Sequence, residues 1–195
     1  MFRDYDYLFL FDVETTGLSK DVNEVIELGG ILLKNNGEGK FESENEIDVF
    51  IQNDEPIPPF ITNLTSITDD MCKDGLTKQE FFELLKPIFN DHSKTLIIAY
   101  NAPFDTGFIK SFMNKMSKDY IVTNEVLDLL EVAKNRTGLR KGNKLCDMLT
   151  RYNIVEFENS HRAIDDVKAT LAVMRAMYKE KKDLESYIKK GNWSN

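Results

Sequence analysis

Five residues at three separate places have the types and spacing of a metal-dependent hydrolytic centre. They are Asp12 and Glu14 in FDVETTGL, Asp105 in YNAPFDTGF, and His161 with Asp166 in SHRAIDDV. Four carboxylates are enough to hold two divalent cations, whose preferred ligands are oxygen atoms. A histidine titrates near neutral pH and can accept a proton from water. Asp12 and Glu14 lie two residues apart, so in an extended chain both point to the same side and can meet one ion. They follow the apolar run Leu8-Phe-Leu-Phe11, where an unpaired carboxylate is costly to bury. A strand end emerging into solvent accounts equally for the Asp-x-Glu pair taken alone. Asp105 sits where a helix should begin after Pro103, so it is either a ligand or a charge favoured by the helix dipole.

Asp166 falls near the start of the clearest helix of the chain. Ile164, Val167, Leu171, Met174 and Tyr178 recur at spacings of three and four, an apolar stripe that faces a core. Five positions turn about 140° around a helix. His161 and Asp166 can therefore share a site only if His161 sits on the loop before the helix, with the cap near Ser160 or His161. Ala163 and Thr170 share the face of Asp166 and are small, leaving room for ions and phosphate. Asp165 points elsewhere, toward solvent. The other histidine, His92, lies in a polar surface stretch.

The elements that must position these residues follow from patterning. Tyr7 to Asp12, Val25 to Lys34 and Ile47 to Ile51 read as strands, with a turn at Lys34 to Lys40. The Pro-rich segment from Asp54 to Pro59 ends the strand region. Thr77-Lys-Gln-Glu80 has the form of a capping box before a helix. Thr95 to Ala99 is a fourth strand, Phe104 to Met116 a helix, Tyr120 to Thr123 a fifth strand and Leu145 to Tyr152 a small helix. Three strands followed by alternating helices and strands predict an α/β fold, a mixed sheet with helices on it.

At 195 residues, 42% hydrophobic and 30% charged, the chain is expected to form a single domain over residues 1–195. It carries no apolar stretch long enough to span a membrane and no leader-type cleavage site, so a cytoplasmic protein without a membrane partner is expected. Cys72 and Cys146 stand in no zinc-binding cluster and are expected to be reduced and structural. The net charge of −8 argues against broad electrostatic binding to nucleic acid. The charge is uneven, however: residues 1–100 carry 8 Lys/Arg against 20 Asp/Glu, and residues 101–195 carry 17 against 13. Lys134, Arg136, Arg140, Lys141 and Lys144 form a basic stretch, either a phosphate-tracking surface or a solvated loop.

With these residues in view, the chain resembles the DEDDh 3′→5′ exonucleases, and most of all the proofreading subunit or domain of bacterial DNA polymerase III. LFLFDVETTGL, EVIELGGILL, PIPPFITNLTSIT, YNAPFDTGF and SHRAIDDVKATLAVM carry the likeness, in the family's order, over residues 7–175. The related subclass with a catalytic tyrosine would need Tyr four residues before the last acid, where this chain has Arg162. Tyr100 and Ser66 depart from the family's common His and Gly.

The resemblance implies an RNase H-like fold with a five-stranded mixed β-sheet flanked by α-helices. It implies that Asp12, Glu14, Asp105 and Asp166 hold two Mg²⁺ ions, with Mn²⁺ as a substitute, and that His161 is the general base. It further implies that Thr15 and Thr16 lie near the terminal sugar, and that Asn101 and Phe104 shape the nucleotide pocket. The expected partners are nucleic acid 3′ ends, DNA before RNA, and a DNA polymerase. An RNA-trimming enzyme similar to RNase T or oligoribonuclease would use the same five residues. A non-catalytic binding module would have lost at least one of them.

Overall fold

The computed structural model describes residues 1–37, 40–90, 94–157 and 162–191. His161 and His92 lie outside the described residues. The sheet has six strands, one more than expected: β1 (Tyr7–Thr15), β2 (Val25–Asn35), β3 (Phe41–Phe50), β4 (Thr95–Ala99), β5 (Glu125–Asp128) and β6 (Lys189–Lys190). Their order is β3-β2-β1-β4-β5-β6. The first three form an antiparallel meander, β4 and β5 run parallel to β1, and the two-residue β6 returns antiparallel on β5.

The helices are α1 (Pro59–Thr65), α2 (Asp69–Lys73), α3 (Lys78–Leu85), α4 (Ala102–Met116), α5 (Leu129–Thr137), α6 (Leu145–Arg151) and α7 (Ala163–Glu180), with a 3₁₀ turn at Leu184–Tyr187. The capping box forms at Thr77 and Glu80, as the spacing predicts. Alternation along β1 divides the core. Leu8 and Leu10 join Val167, Val173 and Met174 of α7 on one face. Phe9, Phe11 and Val13 join Phe81, Phe89 and Ile109 from α3, α4 and their flanks on the other. A strand covered on both faces reads as the continuous apolar run seen before Asp12.

Two expected strands lie elsewhere and one helix is added. β3 begins at Phe41, six residues earlier than patterning predicts, because Glu42, Ser43, Glu44, Asn45 and Glu46 are exposed on a sheet edge and carry no apolar signal. The fifth strand is Glu125–Asp128 rather than Tyr120 to Thr123. The earlier segment is apolar because Tyr120 packs edge-on against Phe82 and Val122 is buried, so its pattern reports side-chain burial and not backbone pairing. α5, for which patterning gives no signal, takes in Lys134 and Arg136 of the basic stretch; the Asp128 side chain caps its start by accepting the Leu130 N–H. Among the described residues, no helix is long and apolar enough to cross a membrane.

Candidate metal centre

The acids converge at the C-terminal end of β1. Asp12 lies opposite Gly29 and Glu14 opposite Glu27 in the antiparallel pair with β2, so all four positions share the sheet face covered by α7. One carboxylate oxygen each from Asp12, Glu14 and Asp166 lies within 4.8 Å of the others, and all three side chains are half-buried. Asp166, not Asp165, completes this group. Asp165 is itself half-buried rather than solvated.

Asp105 reaches the same place from the other layer. It is 2% exposed, in the first turn of α4, and its Oδ1 accepts the Val13 N–H at 3.2 Å. Among the described residues it is not within the three-acid group, yet its charge bears directly on Asp12.

Two residues of β2, Glu27 and Gly29, carry Asp166 into position. Glu27 is fully buried, and its Oε1 accepts from Arg162 Nε at 2.8 Å and forms an ion pair with the other end of the guanidinium at 2.6 Å. Its Oε2 accepts the Ala163 N–H at 3.0 Å, satisfying one of the orphan donors at the start of α7. Two residues on, Gly29 has no Cβ. One placed there would lie 2.3 Å from the backbone of Ala163 and Ile164. Glu27 and Gly29 thus form a seat on β2 that the first turn of α7 occupies. In the sequence the only trace was a glutamate inside the apolar run Val25 to Leu33, a costly position that signals a partner.

The helix starts at Ala163 with Arg162 in the cap position, one or two residues after the expected Ser160 or His161. His161 itself lies outside the described residues. Ala163 and Thr170, the small residues on the face of Asp166, are buried, 0% and 4% exposed.

Around this centre, Thr15 ends β1 and Thr16 opens the turn that leaves it. The Thr15 hydroxyl donates to the Gly17 carbonyl at 2.7 Å, and Thr16 Oγ1 accepts the Glu24 N–H at 3.0 Å. Asn101 is exposed and in the left-handed region, φ 73°. The Asp128 carboxylate holds it there by accepting the N–H groups of Asn101 and Ala102. Phe104 is half-buried against Phe108, with ring centroids 5.0 Å apart. Both free cysteines stand apart, Cys72 buried and Cys146 exposed.

The electrostatics of the cluster favour a cation. Burial, then the charges of Asp105, Glu14 and Asp166, hold the Asp12 carboxyl well above its usual range. Burial also raises Asp105, against the pull of the Val13 N–H. Burial, then Asp166 and Glu27, push Glu14 up to about 8, with Arg162 opposing. Four crowded carboxyl groups with oxygen donors only are a set suited to hard divalent cations.

A pH dependence follows for the metal-free protein. Glu14 titrates near 4.5 unfolded and near 8 folded, so its contribution to stability is complete below about pH 4.5 and is lost as pH rises through 8. The metal-free melting temperature is expected to fall across that window, and Mg²⁺ to raise it most at the alkaline end. Thermal melts in chelator and in Mg²⁺ at stepped pH check this; a flat metal-free profile would contradict it.

Comparison with known proteins agrees with the geometry. A family model described as RNase_T, exonuclease, matches residues 9–174. The DNA polymerase III PolC-type protein of Caldanaerobacter subterraneus subsp. tengcongensis is 35% identical over 176 residues, covering 90% of this chain and 12% of that protein. The Bacillus cereus protein of the same description is 36% identical over 173 residues, 88% of this chain and 11% of its own. The chain thus spans about an eighth of the length of these relatives.

Among solved structures, the zinc-bound E. coli ExoI–ssDNA complex superimposes with a TM-score of 0.75 at 21% identity, covering 94% of this chain and 42% of that one. The nuclease domain of 3′hExo, a DEDDh family member bound to rAMP, gives 0.72 at 18%, covering 96% and 97%. At these identities the likeness is one of fold, RNase H-like.

Proposed function

The chain belongs to the RNase T exonuclease family, and on that premise we propose that it is a Mg²⁺-dependent 3′→5′ exonuclease acting on DNA as a single exonuclease domain. The observation that carries the proposal is the half-buried trio Asp12, Glu14 and Asp166, with an oxygen of each within 4.8 Å of the others, at the end of β1 that Asp105 meets from the other layer.

In this proposal Asp12, Glu14 and Asp166, supported by Asp105, hold two Mg²⁺ ions, for which Mn²⁺ substitutes. When bound, such cations neutralise the phosphodiester and make water more acidic. His161 takes the proton of the attacking water. The bond from phosphorus to the 3′-oxygen of the penultimate nucleotide breaks, that oxygen gains a proton, and a 5′-mononucleotide leaves. Asn101, held by Asp128, and Phe104, braced on Phe108, bound the terminal nucleotide, while Thr15 and Thr16 form the turn beside its sugar.

The PolC-type description of the relatives favours DNA over RNA, a proofreading or repair role, and a polymerase as partner in the cytoplasm. The test is digestion of 5′-labelled single-stranded DNA and RNA, with Mg²⁺ or chelator. A ladder shortening from the 3′ end, Mg²⁺-dependent and faster on DNA, is expected. Faster digestion of RNA would make the enzyme an RNA trimmer, and no shortening of either strand would overturn the activity.

A further inference from the structure

We infer a second nucleic-acid contact site, resting on the exonuclease reading: the loop from Gly138 to Lys144, which would bind the phosphodiester backbone of the single strand upstream of its 3′ end. Three observations carry it. The first is place. β1, β4 and β5 run parallel, so their C-terminal ends share one end of the sheet, where Asp12 and Glu14 lie. Tyr100 is the first residue after β4 and precedes Asn101. Its hydroxyl donates to the Asn143 carbonyl at 2.5 Å, which ties the loop to the rim of the acidic centre.

The second is order. Asn143 is 4% exposed; its Oδ1 accepts from the Thr137 hydroxyl at 2.6 Å and its Nδ2 donates to the Leu139 carbonyl at 2.9 Å. Gly138 and Gly142 take positive φ, 66° and 79°, which lets the chain turn twice within five residues. A loop bonded internally in this way presents its side chains without a large ordering cost on binding.

The third is charge. Arg140, Lys141 and Lys144 are exposed, and among the described residues no ion pair engages them. Arg136, by contrast, is consumed: it bonds the Met177 and Lys181 carbonyls, Glu180 and Asp183 at the far end of α7. On a chain of net charge −8, three exposed cations without an ion pair, with Asp147 bonded to the Lys144 N–H at 2.8 Å, stand on an anchored loop beside an acidic centre and match a polyanion whose end must enter that centre.

The test compares wild type with the triple variant Arg140→Ala, Lys141→Ala, Lys144→Ala. The probes are a 5′-labelled oligothymidylate and a thymidylyl dinucleotide. Binding of the oligomer is followed by anisotropy in chelator, and hydrolysis of both is followed in Mg²⁺. Each phosphate contact on a single strand contributes about 0.7 to the slope of log affinity against log salt, so the variant should lose about two from that slope. Its KM for the oligomer should rise about tenfold, with a much smaller change for the dinucleotide.

An unchanged salt slope and oligomer KM would overturn the inference. So would equal losses on oligomer and dinucleotide, which would mean that the loop acts through the catalytic centre. Failure of wild type to hydrolyse either probe would instead reject the exonuclease reading, while the chelator measurement would still report on the loop.

Discussion

Replacing Asp12 with Asn is expected to cut Mg²⁺-supported hydrolysis about a thousandfold, roughly 4 kcal/mol of barrier, while raising the melting temperature of the metal-free protein. The two effects have one cause. Asp12 is the acid most exposed to the others: Asp105, Glu14 and Asp166 all raise its pKa, on top of burial. Without a cation, its ionised form at neutral pH is therefore a liability to the fold. A carboxyl whose folded pKa lies above its unfolded value contributes its stability only at low pH and loses it as pH rises. Asparagine has nearly the same shape and no charge, so it removes that liability and with it the reason for a cation to bind.

The order should reverse when Mg²⁺ is added, because only the wild-type cluster gains binding energy from the ion. Activity assays and thermal melts of both proteins, with and without Mg²⁺, provide the check. Equal activity, or a metal-free variant that melts below wild type, would remove Asp12 from the centre of the cluster.

The second large effect is predicted away from any charge. Gly29→Ala should destabilise the protein by about 3 kcal/mol, the upper range for overpacking, because the new methyl group meets main chain and not a movable side chain. The contact would be 2.3 Å from Ala163 and Ile164. For a chain of this size that corresponds to about 6–12 °C in melting temperature. To relieve the clash, the first turn of α7 must lift from β2, stretching the Glu27 bond to the Ala163 N–H and moving Asp166 away from Asp12. A displacement of about 1 Å at reacting groups is enough to cost about a hundredfold in rate.

Gly107→Ala is the control. Its methyl group would meet only the flexible Lys20 side chain, Cδ at 3.4 Å and Nζ at 4.0 Å, in the middle of α4, where alanine is the better helix former by roughly 0.5–1 kcal/mol. That variant should keep full activity and melt slightly higher. If Gly29→Ala behaves like the control, α7 does not depend on the close approach.

Several of these features could be read before any coordinates. The strand under Asp12 announced itself because both faces of β1 are covered, which leaves an apolar run with acids at its end. The period of α7 marked its buried face, and the spacing of Asp166 along it distinguished that residue from Asp165. Elements whose stability comes from neighbours and not from pattern were missed. These are the acidic first half of the edge strand β3, the four-residue β5 and the helix α5 that follows it without a turn.

The site divides along the same line. Local chemistry in the sequence by itself determined which residue types are present and at which strand and helix ends they fall, because a strand alternates and a helix turns with known periods. Only the tertiary structure decided that Asp12, Glu14 and Asp166 meet within one ion's reach. That meeting depends on contacts between residues more than a hundred positions apart: Glu27 gripping Arg162, and Gly29 admitting the backbone of Ala163. The identity of Glu27 and Gly29 is written in the chain, but what they touch is set by long-range packing, which no local period encodes.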